Sequence, residues 1–88
     1  MKYYADLKEG IVTIEHNNVH IKVDELDYTP VWKESQEDWY IKLYSHVAQI
    51  WDNELEEWKD YKLDSKEVHE VEMSIRDEFN WDDFMDRD

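Results

Sequence analysis

Apolar and polar positions alternate along the first two dozen residues and then change rhythm. Tyr3, Ala5 and Leu7 alternate with polar neighbours, and Lys8-Glu9-Gly10 marks a turn. Ile11-Val12-Thr13-Ile14-Glu15-His16 and Val19-His20-Ile21-Lys22-Val23 then flank Asn17-Asn18. Two Asn residues between alternating runs predict a two-residue hairpin, because Asn tolerates the positive φ of a type I′ turn. That register puts Val12, Ile14 and His16 on one face with Val19, Ile21 and Val23. Thr13, Glu15, His20 and Lys22 take the other face, with Glu15 opposite His20. Residues 2–24 thus predict a short antiparallel β-meander.

Residues 24–32 read as a connector. Ser35-Gln36-Glu37-Asp38 resembles a capping box with Asp in the Glu place, and the spacing beyond it predicts a helix over about 35–61. At about 100° per residue, Trp39, Tyr40, Leu43, Tyr44, Val47, Ile50, Trp51, Leu55, Trp58 and Tyr61 share a stripe of roughly 160°. Asp38, Lys42, Ser45, Gln49, Asp52, Glu56 and Asp60 lie opposite. Asp64-Ser65-Lys66-Glu67 is a second capping box, and a second helix over about 65–80 turns Val68, Val71, Ile75 and Phe79 inward. Its Glu67, Glu70, Asp77 and Glu78 face outward. Residues 81–88 are expected as a frayed helix end or a loose acidic tail. The expected fold is α+β, one domain over 1–88 with both helices on one sheet face and no internal repeat.

Charge changes this picture most. The 88 residues carry 24 acids against 10 Lys and Arg, a formal −14, together with five Trp and six Tyr. Acid-rich chains poor in aromatics stay disordered, whereas this one has large rings to bury. A single Gly and a single Pro leave no glycine-rich phosphate loop, and the absence of Cys excludes disulfides and thiolate zinc sites. No apolar run approaches the roughly 20 residues of a membrane span. These features lead us to expect a cytoplasmic, non-enzymatic protein with no cofactor, as a monomer or homodimer. Its anionic surface disfavours membranes and direct nucleic-acid binding and favours a basic protein partner.

The charge grows toward the C-terminus: residues 64–88 hold ten acids against Lys66, Arg76 and Arg87, net −7. Were that segment wholly helical, its carboxylates would recur about every 3.7 Å, near the roughly 3.4 Å phosphate spacing of one DNA strand. A net −14 also exceeds the magnitude of about 2–8 that solubility requires of a small domain. In size, charge and aromatic content the chain resembles the small virus-encoded DNA-mimic inhibitors, a functional class including phage anti-restriction, anti-CRISPR and uracil-glycosylase-inhibitor proteins. Its members share no one fold, so the resemblance implies a mode of action and assigns no residue. It implies occupation of the cationic nucleic-acid groove of a host protein. On that reading the outward acids Asp38, Asp52, Glu56, Asp60, Glu67, Glu70, Asp77, Glu78, Asp82 and Asp83 stand in for phosphates.

Two other partner classes fit the residues. An immunity or antitoxin protein against a basic nuclease-type toxin would use an aromatic anchor such as Trp81, set among Asp82, Asp83, Phe84 and Met85. An acidic protein-interaction module would use the charge without a groove to fill. His16, His20, His46 and His69 lack metal-ligand spacing, and Asp82, Asp83, Asp86 and Asp88 lack that of an EF-hand loop. Glu54 falls inside the apolar stripe of the expected first helix, which makes it a candidate for a perturbed carboxyl or an interface edge.

Overall fold

The computed structural model describes residues 1–86, so Arg87 and Asp88 lie outside the described residues. Five strands form one antiparallel meander, each paired with its chain neighbour: β1 (Lys2–Asp6), β2 (Ile11–His16), β3 (Val19–Lys33), β4 (Asp38–Asp52) and β5 (Glu57–Tyr61). Two helices follow, α1 (Ser65–Glu78) and α2 (Trp81–Met85). The β2–β3 hairpin has the expected register, Val12 opposite Val23, Ile14 opposite Ile21 and Glu15 opposite His20. Asn17 and Asn18 sit at φ 45° and 67°, as a type I′ turn requires. Gly10, at φ 72°, closes the β1–β2 turn with its N–H on the Asp6 carbonyl.

The expected helix over 35–61 is not formed. Residues 38–52 and 57–61 are strands, and the supposed connector 24–32 is the second half of β3. A local period of two decides it: Trp39, Ile41 and Leu43 face α1 and α2, while Tyr40, Lys42 and Tyr44 take the other side. Because both faces carry aromatics, the same residues also fill a broad helical stripe. A bulge between Asp24 and Tyr28, with Glu25 at φ 49°, then shifts the alternation. Inward positions are accordingly Val23 and Ala48 on one side of it, Tyr28 and Leu43 on the other. Pro30 is accommodated because β2 pairs only with residues 19–23 of β3, leaving the Pro30 segment paired with β4 alone.

The β3–β4 and β4–β5 turns use the same device. Trp32 pairs with Trp39 and Trp51 with Trp58, each seven residues on, across turns of residues 34–37 and 53–56. The last turn residues, Glu37 and Glu56, lie at φ 49° and 51°. In place of glycine or proline, side chains hold the second turn: the Asp52 carboxylate accepts the N–H groups of Glu54 at 2.8 Å and Leu55 at 3.0 Å.

Helix α1 forms as its capping box dictates. Asp64 accepts the Glu67 N–H at 2.8 Å, and Glu67 reaches back to the Asp64 N–H at 3.0 Å. Its Val71 and Ile75 are fully buried against Val12, Ile14, Ile21, Val23, Ile41 and Leu43. Each such side chain contributes about 1.5–3 kcal/mol on leaving water. Before residue 48, β5 does not pair with the outer edge of β4, and α1 meets that edge instead: Glu72 accepts the Leu43 N–H at 2.9 Å. Residues 81–85 are not a loose tail. They form the short helix α2, capped by Asn80 on the Asp83 N–H at 3.0 Å, and its Trp81 and Phe84 pack on Trp39. The whole measures 51 × 26 × 21 Å.

Candidate functional site

The acids expected to share helix faces are divided among several elements. Asp77, Glu78, Asp82 and Asp83 lie exposed at the end of α1 and in α2, on consecutive turns of one acidic corner. Asp38 and Asp52 instead occupy opposite ends of β4, with Glu56 in the following turn and Asp60 on β5. Two of these have local duties. Asp38 binds Arg76 at 2.6 Å and accepts the Trp39 N–H. Asp52 pairs with Lys59 at 2.9 Å, and the Leu55 N–H, Lys59 and the Glu54 N–H together hold its carboxyl below the ordinary value. Elsewhere on the surface, His20 lies 3.6 Å from Glu15.

Glu67 corrects the expected outward face. It is buried, 6% exposed, and accepts the Tyr61 hydroxyl at 3.0–3.1 Å besides its capping bond. A carboxylate so engaged is a structural element, and its capping duty is what draws it inward. Trp81 is likewise turned to the interior, half-buried, donating its indole N–H to the Arg76 carbonyl at 2.9 Å. Its ring centroid lies 4.7 Å from that of Phe79. Glu54, expected within an apolar stripe, is exposed in the β4–β5 turn. Among the described residues no three His, Asp or Glu side chains converge as cation ligands would.

Two concave features follow from the folded sheet. Tyr3 of β1 and Tyr61 of β5 meet the first turns of α1 in a cleft of about 550 Å³, lined also by Met1, Asp64, Lys66, Glu67 and Glu70. Burial raises the Tyr3 hydroxyl pKa above 10.0, and the charges of Glu67, Glu70 and Asp64 raise it further. Tyr61 is raised in the same way, by burial, then by its bond to Glu67 and the acids around it. On the sheet face away from the helices, Trp51 and Trp58 border a shallow apolar groove of about 340 Å³ with Ile11, Thr13, His20 and Lys22. Lys22 Nζ stands 4.8 Å over the Trp58 ring. Neither feature was anticipated from sequence, although the paired Trp-x6-Trp spacing was a readable signal for the second.

No protein-family model, curated protein or solved structure matches this chain. No helix among the described residues is long and apolar enough to cross a membrane.

Proposed function

We propose that this protein is a non-enzymatic inhibitor that occupies the basic nucleic-acid-binding surface of a protein partner by presenting negative charge in place of phosphates. One observation carries the reading: a net −14 lies along a body 51 Å long. That is one net charge per roughly 3.6 Å, close to one nucleic-acid strand and about half the density of a duplex. Such a field steers a cationic partner from about a Debye length, 8–10 Å at physiological salt. The acidic corner of Asp77, Glu78, Asp82 and Asp83 supplies its densest part, and Glu56 and Asp60 carry charge toward the other end of the sheet.

The test is capture of a partner from nuclease-treated lysate on the tagged protein, followed by elution with single-stranded and duplex DNA. A partner released by either nucleic acid, and more readily by the single strand, supports groove competition. A partner that neither displaces contradicts it. The Trp51–Trp58 pair, with Trp58 exposed and Trp51 half-buried on the open sheet face, favours a second reading, a dedicated inhibitor of one basic toxin anchored by an aromatic contact. In that case Trp58→Ala removes most of the affinity, whereas a distributed charge surface tolerates it.

A further inference from the structure

We propose that the open face of the sheet, the side without helices, is the surface on which a second copy of this chain docks, face to face about a two-fold axis. The proposal goes beyond the charge reading above and does not depend on it.

The face is built of rings where an outward sheet face is ordinarily polar. Alternation places Tyr4, Val47, Trp51 and Trp58 on its five-stranded end, and Tyr40 and Tyr44 on the ribbon of β3 and β4 beyond the bulge. Tyr44 is 58% exposed and Tyr4 51%. Every cation–π pair among the described residues also lies here: Lys22 on Trp58, Lys42 on Tyr44, and Lys33 and Arg76 on Tyr40. Exposed aromatics of this density mark an interaction surface, and the lysine stems laid over them extend its apolar area.

Charge selects the occupant. The ribbon end of the face carries Lys33, Lys42 and Arg76 against Asp27 and Asp38. The five-stranded end carries Lys2 and Lys22 against Asp6, Glu15, Asp24 and Asp60. The face as a whole is therefore close to neutral, and nearly all of the net −14 lies on the helix side and in the turns. Two such chains repel through those surfaces and can meet on this one. A two-fold axis near the bulge lays the positive ribbon end of one copy over the negative end of the other, and the symmetry makes each contact twice. The acidic corner of α1 and α2 stays on the far side of both sheets.

The extent is sufficient. At about 3.3 Å per residue and 4.8 Å between strands, the five strands cover roughly 730 Å² in projection, near the about 800 Å² that each partner contributes to a standard interface.

The test is sedimentation velocity of the full chain from micromolar to millimolar concentration, read against the 10.9 kDa protomer. The expected result is a concentration-dependent doubling of mass. Tyr44→Glu and Lys42→Glu, both at exposed positions, each weaken association at least tenfold, and Met85→Ala, exposed on the helix side, leaves it unchanged. All three variants keep the parent's dispersed amide spectrum. In a mixture of labelled and unlabelled copies, isotope-filtered NOEs join the Trp58 ring of one to Tyr40 or Tyr44 of the other. A chain monomeric throughout, a dimer indifferent to both Glu substitutions, or intermolecular NOEs confined to α1 and α2 would overturn the proposal.

Discussion

The two tryptophan hairpins are the same local solution placed in opposite surroundings. Ring centroids are 5.6 Å apart in Trp32–Trp39 and 5.4 Å in Trp51–Trp58, with interplanar angles of 64° and 67°. Each turn ends on a Glu in the left-handed region. Yet Trp39 is packed by Phe84 at 5.2 Å and Trp81 at 6.5 Å, while the second pair has Lys22 above it and lies on the side without helices. The bulge near residues 24–28 is what separates them. By shifting the alternation midway along β3 and β4, it turns Trp39 to the helices, with Trp32 at the rim 47% exposed, and turns the second pair to the open face. Local chemistry makes a hairpin, and the layer that covers it decides whether its aromatics become core or surface.

Truncation should break this symmetry most strongly. Trp39→Ala is expected to cost about 2–4 kcal/mol, because it opens a cavity beneath α2. Trp58→Ala is expected to cost about 1 kcal/mol, the worth of a cross-strand aromatic pair. Denaturant midpoints at unchanged slope measure both. Next, Phe84→Ala removes the covering of the first pair and should cost about 1–3 kcal/mol, with a rise in acrylamide quenching of tryptophan fluorescence that Met85→Ala does not produce. Smaller and equal effects are expected at the turns. Glu37→Gly and Glu56→Gly each relieve a left-handed residue, offset by the greater freedom of the unfolded chain, and should stabilise by up to about 1 kcal/mol. Unequal gains would show that the turns differ in more than their surroundings.

The smallest effect distinguishes the second turn by pH. Asp52 titrates below its ordinary value of 3.8 in the folded protein, so its contribution is fully present above that value. It is lost as pH falls through the lower folded value, and Lys59→Met should return the Asp52 titration, followed by carboxyl NMR shifts, part of the way toward 3.8.

What was legible in the chain follows from the same contrast. The β2–β3 hairpin was legible because uninterrupted alternation and Asn17-Asn18 point to one answer. Helix α1 was legible from Asp64-Ser65-Lys66-Glu67 and the inward spacing of Val68, Val71, Ile75 and Phe79. β4 and β5 were not. Their bulge breaks the alternation, their turns lack Gly and Pro, and a seven-residue Trp spacing fits two helical turns as well as a four-residue hairpin turn. The exposed acids of residues 77–83 could be placed on the surface from sequence. The burial of Glu67 was implicit in its capping role and overlooked. The Tyr3–Tyr61 cleft joins residues 58 positions apart in the chain, a juxtaposition no local pattern encodes.

On the proposed function, charge distributed over the acidic corner and β5 carries the binding. The most direct measurement is the affinity for the captured partner across a salt series, comparing the parent chain with the fourfold variant Glu56→Lys, Asp60→Lys, Asp77→Lys, Glu78→Lys. The expected result is an affinity that falls steeply with salt in the parent, and a variant at least tenfold weaker with a flatter salt dependence. An unchanged affinity in the variant, or a parent affinity indifferent to salt, would contradict it.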